Sequence, residues 1–198
     1  IARVPDVPPP SRETLDASIR KAADFLLKEQ NRDGSWGNHT RTKGLNVLCP
    51  YPEGPRSFRT ASTSLCVIGL LTSPLKEDPA VKASLDKALQ YLLTTLPTLK
   101  RGDTRTVLGV WGHAYGLSAL SRAARNLPAD APLREELKKV ASLQVKALDQ
   151  MADVQGGWGY YTFETFSKRP IGEPTSFLTA TVLLAYKDAE QAFGLKAE

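Results

Sequence analysis

The sequence predicts an all-α protein, an array of about six helices paired into three helical hairpins. Apolar residues recur at helical spacings of three and four along most of the 198 residues, and strand-like alternation is nearly absent. Related segments also recur along the chain, which is typical of helical-repeat proteins. The length suits a single repeat domain over residues 11–198, preceded by a proline-rich extended segment over residues 1–10.

The composition is that of an ordinary globular chain. With 41% apolar and 24% charged residues, general disorder is excluded, and two cysteines are too few for a disulfide-dense scaffold. The net charge of +5 is mild, so it permits an anionic partner without indicating nucleic acid. No apolar run is long enough for a transmembrane segment. The start at Ile1 and the prolines after it favour an exported protein.

The first three helices are marked by their ends. The first begins at Ser11, an N-cap residue type, and stops in the polar stretch that closes with Gly34. The second is predicted over residues 57–71. The third starts near Pro79, since proline suits a first helical turn, and ends at Pro97.

The remaining helices are predicted over residues 106–125, 132–153 and 174–193. Long loops follow the first, third and fifth helices, the first of them over residues 37–57. The even-numbered helices are rich in small residues, which is typical of a crowded inner layer in a two-layered stack.

One helical segment occurs in three copies. Residues 21–27 align with residues 87–93, and residues 146–149 begin a weaker third copy. After the first and third copies, glutamine is followed by a short spacer and Gly-x-Trp. These residues are Gln30, Gly34 and Trp36 in the first copy, and Gln150, Gly156 and Trp158 in the third.

This pattern resembles the QW motif of squalene and oxidosqualene cyclases and the related protein prenyltransferases. The resemblance implies an α/α toroid, of which three hairpins make roughly half. The motif is then structural: the glutamine amide serves a helix terminus, and the indole stacks on that amide. The second copy departs from the pattern, because Leu96 stands where glutamine is expected and no Gly-x-Trp follows.

The catalytic patterns of these relatives are missing from the sequence. There is no D-x-D-D, no D-D-x-x-D and no zinc-ligand set, so we expect no cofactor and no metal, and an enzyme is the less favoured interpretation. The nearest carboxylate pair, Asp149 and Asp153, is expected on a solvated helix face.

Three weak catalytic candidates remain. His113, near the start of the fourth helix, is either a general base or pocket contact, or a core histidine. Glu164 and Glu173 are carboxylates near an aromatic run, with no evident partner to tune them.

Aromatic residues supply the binding-surface candidates. Trp111 and Tyr115 are four apart, which places them on one helix face. A second group lies in one short run and includes Trp158, Tyr160, Tyr161, Phe163 and Phe166. Such a run forms either a wall for an apolar ligand or a protein, or ordinary loop packing.

Basic residues and the cysteines leave alternatives open. The basic residues nearest the fourth helix could bind a diphosphate or phospholipid head group, or form a solvated face. They are Lys100, Arg101, Arg105, Arg122 and Arg125. Cys66 is expected to be a buried thiol, and a bridge to Cys49 stays open.

Three functions fit the sequence. The preferred one is a non-catalytic structural or interaction subunit whose open face docks on a protein partner or on a second copy. The second is a truncated or self-associating terpenoid cyclase or prenyltransferase. The third is a module that binds an isoprenoid, lipid or glycan.

Overall fold

In the computed structural model, residues 8–38, 53–102, 105–164 and 167–197 are described, and these contain six α-helices. The helices are α1 (Arg12–Glu29), α2 (Glu53–Thr72), α3 (Pro79–Thr95), α4 (Val110–Arg125), α5 (Pro132–Met151) and α6 (Ser176–Phe193). A short 3-10 helix, Leu96–Thr98, follows α3. Within the described ranges there is no named strand, only an isolated antiparallel bridge between Thr106 and Tyr161. The all-α prediction is confirmed.

The helices form two layers. α4 is the centre of the inner layer and packs on α2 and on α6, while α5 packs on α4 and α3 on α2 from outside. α1 packs on α3 more sparsely, and Ala23 is its buried residue. The starts of the inner helices lie together, because Ser57 of α2 donates to the Gly109 carbonyl and Trp111 of α4 stacks on Phe177 of α6. The inner helices therefore run parallel.

Small residues allow this close packing, as the sequence indicated. A Cβ atom at Gly112 would lie 2.7 Å from the Ser57 hydroxyl, and one at Gly116 would lie 2.4 Å from the Leu96 side chain. Leu96, which replaces the motif glutamine in the second copy, is itself 1% exposed. Its side chain fills the space that the glycine of α4 leaves.

Local signals position the starts of α1 and α3. The Ser11 hydroxyl accepts from the Thr14 amide, as an N-cap residue does, and the Asp78 carboxylate accepts from the Ala80 amide one residue before Pro79 begins α3.

Four predicted boundaries needed correction. α2 begins at Glu53 rather than at residue 57, since a proline in the first turn is tolerated. α4 begins at Val110 rather than at residue 106, because the Val107 amide donates to the Tyr160 carbonyl across the loop. α5 ends at Met151 rather than at residue 153, and α6 begins at Ser176 rather than at residue 174.

The core lies between the two layers. Its largest fully buried apolar side chains on the α-helices are leucines and valines: Leu70, Leu92, Leu117, Leu120, Leu137, Leu148, Leu178, Val67 and Val81. None of the helices in the described ranges combines the length and apolar character needed to cross a membrane. Most of the proline-rich N-terminal segment and of the loop over residues 37–57 lies outside the described residues, as do Cys49 and Phe166.

Candidate functional site

Trp36 and Trp158 each close the C-terminal end of an outer helix. The Trp36 indole Nε1 donates to the Leu26 carbonyl at 2.7 Å, and the Trp158 Nε1 donates to the Leu148 carbonyl at 2.8 Å. Both acceptors are among the last four carbonyls of their helices, which have no partner inside the helix. Both indoles are buried, so these bonds satisfy carbonyls that water reaches poorly.

The backbone amides of the same tryptophans reach the inner helices. Trp36 N donates to Thr63 Oγ1 at 2.9 Å, and Trp158 N donates to Thr179 Oγ1 at 3.1 Å. Each tryptophan thus joins the outer helix of its hairpin to the inner helix of the same hairpin. The role of these tryptophans is structural. The indole, rather than the glutamine amide that the sequence predicts, donates to the end of the outer helix.

Gln30 and Gln150 have different environments. Gln30 Nε2 donates to the carbonyls of Gly34 and Ser84, both at 2.9 Å, and the Ser84 hydroxyl donates to Gln30 Oε1. Gln30 therefore links the first hairpin to α3 of the second. Gln150 is exposed on α5, and the residue six before Trp158, the place Gln30 takes before Trp36, is Ala152.

The motif glycines adopt a backbone conformation that other residues rarely take. Gly34 has φ of 88° and Gly156 has φ of 91°. At Gly34 an added Cβ would also lie 2.3 Å from the Lys87 carbonyl oxygen, whereas at Gly156 no atom lies within 4 Å. The first glycine turn is thus pressed against α3, and the second is open.

His113 is a core residue. It is 2% exposed, and its Nδ1 lies 2.7 Å from Gln144 Oε1 on α5. Gln144 Nε2 donates to the Val140 carbonyl, so Oε1 is the acceptor and the His113 Nδ1 carries the hydrogen. Burial lowers the pKa of His113, and the bond to Gln144 partly offsets this. The imidazole bonds toward the outer layer rather than toward the open inner face.

The carboxylate candidates differ in their exposure. Glu164 and Glu173 are exposed in the segment between α5 and α6. Asp153 is 4% exposed and accepts from the amides of Gln155 and Gly172, which corrects the predicted solvated face.

Asp149, the other member of the predicted carboxylate pair, accepts from the Tyr186 hydroxyl at 2.7 Å, and burial raises the pKa of that tyrosine. The two aspartates therefore shape the fold. In the described part of the chain, no cluster of three or more His, Cys, Asp or Glu side chains could hold a metal ion.

The predicted basic region is split in two. Lys100, Arg101 and Arg105 precede α4, and Arg122 and Arg125 lie in its last turn. The 16 residues of α4 separate them by about 24 Å. A single head-group site made from all five is thus ruled out.

Cys66 is half-buried on α2, and burial raises the pKa of its thiol to about 11. It is free among the described residues. Its environment suits a small apolar side chain rather than a reactive thiolate.

Four aromatic side chains meet at the start of α4 and α6, and we call them the aromatic cluster: Trp111, Tyr115, Tyr160 and Phe177. Trp111 stacks on Tyr115 at 5.4 Å between ring centroids and on Phe177 at 6.1 Å. Tyr160 closes the group at 6.2 Å from Trp111 and 6.0 Å from Phe177. Trp111 and Tyr115 thus share one face, as their spacing predicted.

The other aromatic candidates lie in two different places. Tyr161 contacts Tyr160 at 6.4 Å, and Phe163 is 66% exposed beyond it. Trp158 instead packs on Tyr186 in the core. Phe177 was not among the predicted site residues; its signal was an aromatic side chain in the first turn of an inner helix.

The aromatic cluster leads into a groove on the open face of the inner layer. This inner groove has a volume of about 580 Å³. It is lined by Leu65 and Ile68 of α2, by Tyr115, Ser118, Arg122 and Arg125 of α4, and by Thr181, Leu184, Lys187, Asp188 and Gln191 of α6. Its volume is within the range of sites for small organic molecules.

The groove has an apolar end and a charged end. Tyr115, Leu65 and Leu184 form the apolar end next to the aromatic cluster. At the charged end Arg122 Nε donates to Asp188 Oδ2 at 3.1 Å, and Arg125 Nη2 donates to Asp188 Oδ1 at 2.9 Å. The groove can therefore hold an elongated apolar molecule with a polar group at one end.

No protein-family model matches this chain, and no solved structure matches it either.

Proposed function

We propose that this chain is a non-catalytic helical-repeat module that binds an elongated apolar ligand in the inner groove. The observation that carries the proposal is the continuity of the aromatic cluster with that groove. The two share Tyr115, and together they present ring faces and aliphatic side chains along one side of the inner layer. Apolar surface of this kind is expected to be covered by a ligand or partner.

The exposure of the groove side chains supports binding. Leu184 is 63% exposed and Leu65 47%, and Phe177 of the adjoining aromatic cluster is 55% exposed. Each could lose most of that exposed surface to a bound apolar molecule, at about 25 cal/mol per Å². Packing within the array does not account for their apolar character.

The non-catalytic part of the proposal depends on the side chains near the groove. His113 bonds to Gln144 in the core, and the groove carboxylate of Asp188 is held by two arginines. Neither is placed as a general acid or base toward the groove. The resemblance to squalene cyclases and prenyltransferases makes an isoprenoid one candidate within the apolar class.

The test uses decanol as an uncharged apolar probe, with binding measured by calorimetry and by tryptophan fluorescence. Leu184→Asp places a charge in the groove, and we expect it to weaken binding at least about tenfold, or ~1.4 kcal/mol. Leu183→Asp is the matched control: Leu183 is 55% exposed on the same helix and does not line the groove. Absence of decanol binding, or equal weakening by both variants, contradicts the proposal.

A second candidate function is self-association, in which a further copy packs against the edges of the array. Apolar side chains outside the inner groove favour it: Leu183 on α6, with Leu15 and Phe25, the latter 61% exposed, on α1. Light scattering after size-exclusion chromatography tests this. A dimer that Leu183→Asp converts to a monomer supports the candidate, and a wild-type monomer at high concentration overturns it.

A further inference from the structure

We propose that the charged end of the inner groove binds the anionic head group, a carboxylate or a phosphate monoester, of a single-chain amphiphile. The alkyl chain of that ligand would lie along the apolar end toward the aromatic cluster. The inference rests on the proposed function and adds the chemical class of the ligand and its direction in the groove.

The charge at this end is predominantly positive. Among the described residues, Arg122, Arg125 and Lys187 line it together with a single carboxylate, that of Asp188. Because Asp188 balances one of the three cations, an anion at this end meets a net positive field. Such a field is screened less in a groove than on an open surface.

The arginines are held in place by their neighbours. Asp188, whose side chain is 12% exposed, accepts from both guanidinium groups. Arg125 Nη1 also donates to Gln191 Oε1 at 2.7 Å. Fixed donors lose little conformational freedom when a ligand binds, which favours affinity.

The charged end still has hydrogen-bond donors available for a ligand. Within the described ranges, Arg122 uses only its Nε, so both of its Nη groups are available, and Lys187 has no ion-pair partner there. A planar guanidinium with two free nitrogens suits a carboxylate or a phosphate, which accept paired hydrogen bonds.

The arginine pair is not required to complete the ends of the inner helices. Arg134, from α5, donates to the carbonyl oxygens of Ala124 and Ala192 there. The side chains of Arg122 and Arg125 therefore line the groove and pair with Asp188 instead.

The length of the groove suits a medium-length alkyl chain. Tyr115 and Arg125 are ten residues apart on α4, which corresponds to about 15 Å along the helix axis. Tyr115, Leu65 and Leu184 cover the apolar half of that span. An amphiphile with its head at Arg122 would extend its chain over these side chains.

The experiment compares decanoate, decyl phosphate and decanol, which share one alkyl chain and differ in the head group. Calorimetry on the full chain at low salt should show at least about tenfold tighter binding of one or both anions than of decanol. The tighter anion identifies the head group. Raising the salt concentration should reduce the advantage of the anions and leave decanol unchanged.

Arg122→Gln is the diagnostic variant, because Arg125 still neutralises Asp188 and the fold keeps that ion pair. It should remove most of the preference for anions and keep decanol binding. Lys139→Gln, on the exposed side of α5, removes the same charge outside the groove and should change nothing. Equal affinity for the three probes, or equal loss with both variants, overturns the head-group assignment alone. Failure of decanol to bind, alone or together with both anions, overturns the proposed function as well.

Discussion

Trp36 and Trp158 lie in different hairpins and make the same two hydrogen bonds. Each indole donates to the carbonyl ten residues earlier, and each backbone amide donates to a threonine hydroxyl of the following inner helix. In the first hairpin and in the third, the tryptophan therefore connects the outer helix to the inner helix in the same way. The second hairpin has no such tryptophan, and there the loop before α4 instead pairs with the segment around Tyr161.

Replacing either tryptophan tests this connection. Trp36→Phe and Trp158→Phe should each lower the free energy of unfolding by about 2 kcal/mol, since a buried carbonyl loses its donor. Urea unfolding measures the change. The control is Trp111→Phe, because that indole serves the aromatic cluster; we expect a change within about 0.5 kcal/mol. Equal losses in all three variants would contradict the structural role.

Substitutions at the two motif glycines distinguish the cost of backbone strain from the cost of steric overlap. Gly156→Ala should cost about 1–2 kcal/mol through its left-handed backbone alone. Gly34→Ala should cost more, because its Cβ would also overlap the Lys87 carbonyl. Thermal unfolding of the two variants measures the difference. A smaller loss at Gly34 than at Gly156 would show that the first turn is not pressed against α3.

The two motif glutamines are predicted to differ in energy. Gln30→Ala should destabilise the fold by about 1–2 kcal/mol, because it removes the bonds to Ser84 and Gly34. Gln150→Ala removes an exposed side chain and should have an effect within about 0.5 kcal/mol. Chemical denaturation of both variants provides the comparison. Equal destabilisation would mean that Gln150 serves the fold as Gln30 does.

The buried histidine gives a pH dependence with a defined sign. Burial lowers the pKa of His113 below its ordinary value of 6.5, so the unfolded chain binds a proton more readily than the folded chain. The free energy of unfolding should therefore be highest above pH 6.5 and should fall as the pH drops below that value.

The measurement is urea unfolding at a series of pH values between about 5 and 8, above the range in which carboxylates titrate. His113→Gln removes the titrating group and should flatten this part of the profile, even if the variant is less stable throughout. An unchanged slope in that variant would assign the pH dependence to other groups.

The sequence predicted the fold to the extent that local signals define it. Six helices follow from apolar spacing, and Ser11 and Pro79 mark two helix starts because caps act within one turn. The start of α4 was misplaced, since the pairing of Val107 with Tyr160 joins segments far apart in the chain. No local pattern reports such a pairing.

The candidate site was predicted in part. Helical spacing placed Trp111 and Tyr115 on one face, because that relationship depends on one helix alone. Phe177 and Leu184 were missed as site residues, since their exposure depends on how α6 lies beside α4. The basic residues were grouped by sequence distance, whereas the length of α4 separates Arg101 from Arg122.

Taken by itself, the sequence determined the helical class, the number of helices, and the two Gly-x-Trp turns. Each of these depends on residues close together in the chain. Only the tertiary structure decided that His113 faces the core, that Gln30 and Gln150 differ, and that Arg122 and Arg125 share Asp188 at the end of a groove. These relationships depend on the packing of helices that are distant in the sequence.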